Sequence, residues 1–339
     1  MKIVLNISFV LLLNLAFSQN ATEMNNNNNV SSPPVEVLEE SADEESKVAS
    51  KKEKANVSRA SKTLDVLEIS EDQNSFEYNY EAYKKADVKN VASFKYLQKA
   101  YAIYPDNVDL YDDFMAYHEM NENRMDRRQF STKLYKSNTI SGYLMEYNYN
   151  VLMSLPKNAI LFTNGYDDTY PIWVTQDVKK VRTDVTVINI DLLKDKTYRD
   201  KIFTKSGLKY RKKLSGIDLI EYVIKDNSNK DIYLGLTVDK KLIGKLYKNL
   251  YLVGVVFKYS TEPFNNIALT EKQWENQFVK KTIKGTPSTF KQKQVLANYL
   301  LSFIYLHNYY VEKGEVEKAD DLKKLTLKIA AYNGKQKVV

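Results

Sequence analysis

A short polar loop carries the side chains of this chain that could do chemistry most directly. It reads Thr163-Asn164-Gly165-Tyr166-Asp167-Asp168-Thr169 and follows a short apolar run. Its carboxylate, hydroxyl and amide oxygens could coordinate Ca²⁺ or Mg²⁺, or hydrogen-bond the hydroxyls of a sugar. The structural alternative is that Asp168 or Thr169 caps a following helix while Gly165 supplies the turn. The candidate ligand-binding residues are Thr163, Asn164, Gly165, Asp167, Asp168, Thr169 and Asp191.

Other catalytic patterns are missing from the sequence. The histidines, His118 and His307, lie far apart without the usual zinc ligands beside them. No G-x-S-x-G nucleophile elbow and no G-x-G-x-x-G dinucleotide fingerprint occurs. We therefore predict no catalytic residue, and no cofactor apart from the divalent cation that the 163–169 loop could hold.

The loop lies inside a strand, helix and strand pattern. Apolar runs of strand length, Ala159–Phe162 and Val185–Ile190, flank a segment with helical spacing. We expect Trp173 to be a core residue of that helix. Such a βαβ unit makes its two strands parallel and places the loop at the carboxyl end of the first strand, where open α/β sheets bind ligands. The predicted apolar stripe of the helix consists of Val174, Val178 and Val181.

Two further apolar runs, Asp231–Val238 and Leu250–Tyr259, read as strands. With short helices between them, they predict a small Rossmann-like, mostly parallel sheet of four strands over residues 151–262, whose last strand could be antiparallel. The predicted fold class is thus α/β.

Helical segments flank this sheet on both sides, over residues 76–150 and 263–339. Four have apolar residues at helical spacing: Phe76–Lys85, Ala92–Tyr104, Val108–Met120 and Arg124–Lys136. Small residues and a proline stand where a tetratricopeptide repeat has them, at Ser93, Ala100 and Pro105. Tyr310, Gly314 and Ala319 match the same pattern within two long helices, roughly Lys291–Glu312 and Glu315–Ala331. These segments therefore resemble tetratricopeptide-like helical hairpins.

The N-terminus predicts export. Residues 1–19 combine Lys2, an apolar core from Ile3 to Phe17 and small residues at their end, as a signal peptide does. Residues 20–75 are rich in Asn and in blocks of like charge, so we expect a leader without a fixed fold. The chain has no Cys and no later apolar stretch of membrane-spanning length, so the mature protein should be soluble and free of disulfides. Its +7 net charge is spread over both signs, and an exported protein rarely meets nucleic acid.

The stretch around the loop resembles a known family. The soluble region of bacterial protein O-mannosyltransferase-like proteins, membrane glycosyltransferases of the Bacteroidota type, has a closely similar segment. The matching residues are Ile160–Gly165, Asp168, Thr169, Pro171, Trp173, Gln176, Val181–Val185, Ile188 and Asn189. One acid of the family pattern is replaced by Tyr166, and the membrane half that carries the glycosyltransferase is missing. The resemblance thus implies an envelope protein with an α/β docking or sensor module, and it does not imply an enzyme.

Together these patterns favour an exported adaptor or scaffold of the cell envelope, periplasmic or associated with the outer membrane. It would bind other envelope proteins through its helical repeats, because such repeats present extended concave surfaces. Secretion, gliding motility and glycan handling are the assemblies that it would suit, as a peripheral component of a membrane complex. The alternative is a carbohydrate-binding or nucleotide-sugar-binding accessory protein that uses the 163–169 loop.

The predicted signal peptide gives a first test. We expect cleavage near Ser18 or Gln19, because the apolar run ends there in small residues and a polar segment follows. N-terminal sequencing of protein recovered from the envelope of the native cell checks this. Recovery of the chain with Met1 still attached would contradict the prediction of export through this signal.

Overall fold

The computed structural model describes residues 72–86 and 91–334. The predicted signal peptide at 1–19 and the predicted leader, up to residue 71, lie outside the described residues. The chain divides into two compact units, and the boundary falls between Asn107 and Val108. We describe each unit by itself, and the domain boundaries predicted at residues 150 and 262 stay predictions.

The described part of the N-terminal unit is a pair of helices, α1 (Phe76–Lys85) and α2 (Val91–Ile103). Helix α1 begins after Ser75, whose hydroxyl accepts a hydrogen bond from the backbone N–H of Tyr78 at 3.2 Å. Such a cap satisfies one of the N–H groups that a helix start leaves without a partner. The two helices pack against each other.

The larger unit combines a central sheet with many helices. Helices α3 to α14 span Tyr111–Met120, Arg124–Lys136, Gly142–Met153, Gly165–Val178, Lys196–Lys205, Gly216–Asp226, Lys240–Leu246, Asn266–Asn276, Lys281–Lys284, Phe290–Ala297, Leu300–Lys313 and Val316–Tyr332. Strands β1 to β5 span Ile160–Thr163, Thr186–Asn189, Ile232–Gly235, Leu250–Val253 and Val256–Tyr259. Short 3-10 turns occupy Val108–Leu110, Asp191–Lys194 and Tyr247–Asn249. The fold is therefore mixed α/β.

The strands form one sheet in the order β2-β1-β3-β5-β4. Strand β1 pairs in parallel with β2 and with β3, so the predicted βαβ unit is present. Strand β5 is antiparallel to β3 and to β4. Every residue of β1 and of β3 is buried, as is expected of central strands covered on both faces.

The prediction of a mostly parallel sheet of four strands was wrong in one place. The apolar run Leu250–Tyr259 is not a single strand but the hairpin β4–β5, so the sheet has five strands and is evenly mixed. The chain reverses at Gly254 and Val255, and Gly254 has φ +57°. A positive φ at the first central residue is typical of a type II′ hairpin turn.

Helix α6 (Gly165–Val178) lies at the centre of the unit. The ten residues from Asp168 to Asp177 are all buried, so this part of the helix has no solvent-facing side and the predicted stripe of three valines does not describe it. Val181 lies beyond its end. The prediction for Trp173 is confirmed, because its side chain is only 1% exposed.

The C-terminal helices also differ in part from the prediction. The expected helix Lys291–Glu312 is broken into α12 and α13, whereas the following turn is placed as expected. Gly314 ends α13 with φ +72°, a left-handed conformation that favours glycine.

The tip of the β4–β5 hairpin is held by three helices. The Gly254 N–H donates to the Thr270 hydroxyl of α10 at 3.0 Å, and its carbonyl accepts from the Ser302 hydroxyl of α13. The neighbouring Val255 N–H donates to the hydroxyl of Ser154, directly after α5, at 3.2 Å. A Cβ at Gly254 would overlap that hydroxyl. Only glycine fits this position.

We therefore expect Gly254→Ala to lower the free energy of unfolding by roughly 2–5 kcal/mol, from the left-handed conformation and the steric overlap together. Gly314→Ala is the matched control, because Gly314 has a similar φ and nothing within 4 Å of its added Cβ. It should cost only roughly 1–2 kcal/mol. Urea denaturation of the three proteins measures both, and equal losses would contradict the steric part of the argument.

Candidate functional site

The predicted loop lies at the carboxyl edge of the parallel strands, as expected. Thr163 ends β1, Asn189 ends the neighbouring β2, and Thr237 follows β3 on the other side. The loop is shorter than predicted, because helix α6 already begins at Gly165. Asp167, Asp168 and Thr169 therefore lie in the first turns of a helix.

The three polar side chains nearest the sheet form a buried hydrogen-bonded cluster. The hydroxyls of Thr163 and Thr169 lie 2.8 Å apart, and the Asn189 amide donates to Thr169 Oγ1 at 3.0 Å. All three residues are at most 3% exposed. Their polar groups thus join β1, β2 and α6 to one another.

The start of α6 is capped from outside the helix. The backbone N–H of Gly165 donates to Asp191 Oδ2 at 3.1 Å, while the side chain of Asn164, the N-cap residue, makes no capping bond. A carboxylate there also interacts favourably with the positive end of the helix dipole. The structural alternative was therefore wrong in naming Asp168 or Thr169 as the cap. It was right about Gly165, which has φ +63° in the turn.

A proline inside α6 gives the loop another partner. Pro171 has no N–H, so the carbonyl of Asp167, four residues earlier, lacks its usual helical donor. The side-chain amide of Asn148 in α5 donates to this carbonyl at 2.8 Å, and also to the Leu144 carbonyl at 3.0 Å. Asn148 is fully buried. The sequence contains the signal for this contact, because an asparagine inside an apolar helix and a proline inside another both require partners.

The two adjacent acids of the loop have different environments. Asp168 is buried and accepts a hydrogen bond from the Thr237 hydroxyl. Burial is the main cause that raises the pKa of Asp168 to about 8, and the nearby Asp167 carboxylate raises it further. A hydrogen bond from the Asn164 backbone acts in the opposite direction and lowers this pKa. Asp167 is half exposed and forms an ion pair with Lys291 of α12 at 2.9 Å. At neutral pH Asp168 is therefore mainly a neutral acid.

This arrangement is poorly suited to a hard cation. Among residues 72–86 and 91–334, no group of three or more His, Asp or Glu side chains lies close enough to hold a metal ion. A neutral carboxyl group is also a weak ligand for Ca²⁺ or Mg²⁺, which prefer charged oxygens. The geometry is that of an internal hydrogen-bonded junction, which a sugar hydroxyl would have to enter by replacing an existing partner.

A buried group of charged side chains that the sequence did not predict lies at the other end of α6. Arg127 of α4 donates to both oxygens of Asp177, each at 2.9 Å, and also pairs with Glu119 of α3. The Ser131 hydroxyl donates to Asp177 at 2.9 Å. Arg127 and Asp177 are 5% and 1% exposed. No local sequence pattern predicts this network, because its residues belong to separate helices.

Arg182 pairs with a carboxylate two residues away. Its guanidinium donates to both oxygens of Asp184 at 3.0 Å. It also donates to the carbonyls of Leu152 and Leu155 at the end of α5. A cation at a helix C-terminus satisfies carbonyls that have no helical donor and complements the dipole.

A comparison with protein families gives a match to part of the chain. The family described as TMEM260-associated domain 2 matches residues 144–208, a minor part of the chain that includes α5, β1, α6, β2 and α7. TMEM260 is a membrane protein with O-mannosyltransferase activity. The match agrees with the resemblance seen in the sequence at this coarse level. Comparisons with curated proteins and with solved structures gave no match.

None of the helices within the described ranges is both long enough and apolar enough to cross a bilayer.

The neutral state of Asp168 makes stability depend on pH. Its folded pKa of about 8 lies above the ordinary value of 3.8, so the folded state binds the proton more tightly. The stabilisation is complete below about pH 4 and is lost as the pH rises through 8. We expect Asp168→Asn, which keeps a neutral group of similar size, to flatten this fall by up to about 1.4 kcal/mol per pH unit.

Urea denaturation at a series of pH values from about 5 to about 9, on both sides of the Asp168 pKa of about 8, measures the effect. Asp218→Asn is the control, because that acid is exposed and pairs with Lys245 at the surface. It should leave the slope unchanged. A slope in Asp168→Asn equal to that of the parent would contradict the assignment of a buried neutral acid.

Proposed function

We propose that this protein is an exported adaptor of the cell envelope that binds partner proteins through its helical hairpins. It would serve a secretion, gliding-motility or glycan-handling assembly, in the periplasm or at the outer membrane, as a peripheral component of a membrane complex. No enzymatic step is part of this proposal.

The observation that carries the proposal is an apolar tip on the C-terminal hairpin. Helices α13 and α14 pack closely and reverse at Gly314. On either side of that turn, Val311 is 57% exposed and Val316 is 65% exposed. These valines offer apolar surface that a partner could cover, and each methylene buried in this way stabilises a complex by about 0.8 kcal/mol.

The predicted ligand loop offers less support for a binding role. The side chains of Thr163, Thr169 and Asn189 are hydrogen-bonded to one another. The carboxyl group of Asp168 accepts a hydrogen bond from the Thr237 hydroxyl. A small ligand would have to compete with these buried internal hydrogen bonds, each of which costs about 1–3 kcal/mol to leave unmade. The exposed hairpin tip has no such competition.

The finer architecture is also a proposal. Ser93, Ala100 and Pro105, and again Tyr310, Gly314 and Ala319, support tetratricopeptide-like packing of the helical hairpins. The order β2-β1-β3, with the carboxyl edge of β1 at Thr163, supports a Rossmann-like origin of the sheet. Kinship with the Bacteroidota type of O-mannosyltransferase-like proteins would account for both.

A carbohydrate-binding or nucleotide-sugar-binding accessory protein is the second candidate. The match to TMEM260-associated domain 2 favours it, because that match includes the whole 163–169 loop and TMEM260 has O-mannosyltransferase activity. In this reading the sugar would lie at the carboxyl edge of β1, with Asp168 and Asp191 as its nearest acids.

Site-directed capture tests the adaptor proposal. The chain with a photo-crosslinking residue at Val316 is expressed in the native cell, irradiated, and its adducts are identified by mass spectrometry. The single change Val311→Asp, made in this chain, should remove most of the adduct, because burying an aspartate against an apolar partner is unfavourable. Met125→Asp is the matched control, since Met125 is also an exposed apolar residue, at 75%.

Equal adducts in the parent and in Val311→Asp would contradict the adaptor proposal at this surface. The second candidate is tested separately, by thermal unfolding with mannose, a nucleotide sugar, Ca²⁺ or Mg²⁺. A rise in melting temperature that Asp168→Asn removes would support the carbohydrate reading, whereas no rise with any of them would exclude it.

A further inference from the structure

A cavity of about 180 Å³ lies away from the predicted loop, between the α3–α4 hairpin, helix α6, the residues that lead into β2, and α7. The polar side chains of its lining that matter here are Glu119, Gln176, Tyr198, Lys201 and Lys205. At about 30 Å³ of liquid volume per water molecule, the cavity holds about six waters, which is the size class of a small polar ligand.

The lining of the cavity contains an acceptor atom to which no protein group donates. Gln176 is 3% exposed, and its amide nitrogen donates to the carbonyls of Arg182 at 2.8 Å and Val185 at 2.9 Å. Both amide hydrogens are thereby used. Its Oε1 atom accepts no hydrogen bond from the described residues and is not fully enclosed by protein. A hydroxyl group in the cavity would satisfy it.

A second acceptor lies across the cavity. The Glu119 carboxylate accepts hydrogen bonds from Arg127 and, at 3.4 Å, from the Tyr198 hydroxyl. A carboxylate has about four acceptor positions, so it can accept from a further hydroxyl. The orientation of this carboxylate is fixed by Arg127, which is itself held by Asp177.

Two lysines of α7 also line the cavity. Lys201 and Lys205 lie four residues apart on α7 and therefore share a face. Lys205 pairs with Glu122 at 3.1 Å, whereas Lys201 has no carboxylate partner within the part of the chain that the structure describes. The segment 194–213, which contains α7, has nine Lys and Arg residues against two Asp. Such a surplus attracts anions to this side of the molecule.

From these features we propose that the cavity binds a small hydroxylated anion, of the sugar phosphate or sugar acid class. Its hydroxyl groups donate to Gln176 Oε1 and to Glu119, while its anionic group pairs with Lys201. The proposal is independent of the adaptor function, which concerns the α13–α14 tip, and of the carbohydrate alternative, which concerns the carboxyl edge of β1.

Calorimetric titration of the full chain tests the class of ligand. Glucose 6-phosphate represents the sugar phosphates, and glucuronate represents the sugar acids. Two control probes carry only one of the two recognised features: glucose has the hydroxyl groups without the anion, and inorganic phosphate has the anion without the sugar. We expect at least one of the two combined probes to bind, and each control probe to bind at least about tenfold more weakly, since hydrogen bonds to charged groups carry that much affinity. Inorganic phosphate binding as tightly would mean an adventitious ion only, and heat from neither combined probe would also overturn the proposal.

Paired variants on α7 test the location. Lys201→Gln should weaken binding of the better probe at least about tenfold, whereas Lys196→Gln should leave it within about twofold. Lys196 is an exposed lysine of the same helix that does not line the cavity. Because both side chains are exposed, neither change should affect folding, which circular dichroism confirms. Equal effects would show that diffuse surface charge, and not this cavity, attracts the probe.

Discussion

The larger unit depends on one constraint, which is that most of helix α6 is enclosed by protein on every side. Ten consecutive residues of this helix are buried, and among them are polar side chains that have no access to water. A buried polar group costs about 1–3 kcal/mol when it has no partner. These groups therefore favour the packing in which a neighbouring element supplies a hydrogen-bond partner. Thr169 bonds to residues of β1 and β2, Asp168 to the turn after β3, and Asp177 to α4. The backbone contributes as well. Because Pro171 has no N–H, the carbonyl of Asp167 has no helical donor, and the Asn148 side chain of α5 donates to it instead. The packing of the surrounding elements is thus specified by hydrogen bonds as well as by apolar contacts.

The ion pair at the end of α6 contributes to specificity more than to stability. Arg127 and Asp177 are almost completely buried, so both had to be desolvated when the chain folded. The Coulomb attraction in such pairs often does little more than offset the several kcal/mol that desolvation costs for each ion. Leaving either ion alone, by contrast, costs about 3–5 kcal/mol. Any packing of the α3–α4 hairpin that separated the two would therefore be strongly disfavoured. The Trp173 ring, whose centre lies 5.1 Å from the Arg127 guanidinium, adds a cation–π contact to the same arrangement.

How far the sequence predicts this molecule depends on the distance between interacting residues. The βαβ unit was predictable because its strand, loop and helix signals all lie between Asn158 and Leu193. The buried state of Trp173 and the turn at Gly314 were predictable for the same reason. The hairpin at Gly254 was missed because both of its strands are apolar and a single glycine marks the reversal. The partners of the site residues were missed because they are remote. Thr237 is 69 residues from Asp168, and Asp177 is 50 residues from Arg127. Periodicity and capping rules describe neighbours along the chain, and they carry no information on such pairs.

The same reasoning separates the two places where a ligand could bind. At the predicted loop, burial keeps Asp168 mainly protonated near neutral pH, and the neighbouring hydroxyls are hydrogen-bonded to one another. A ligand that bonded to these hydroxyls or to the Asp168 carboxyl would have to replace hydrogen bonds that the protein already makes. In the cavity beside α7 the balance is different. The Gln176 amide is fixed by two backbone carbonyls, which leaves its oxygen as an acceptor of constant position. Lys201 adds a charge without a carboxylate partner among the described residues. Groups held rigidly by the protein lose little entropy when a ligand binds to them. Capacity for recognition therefore lies where the fold has left an acceptor and a cation unused, and not where the sequence concentrates its polar residues.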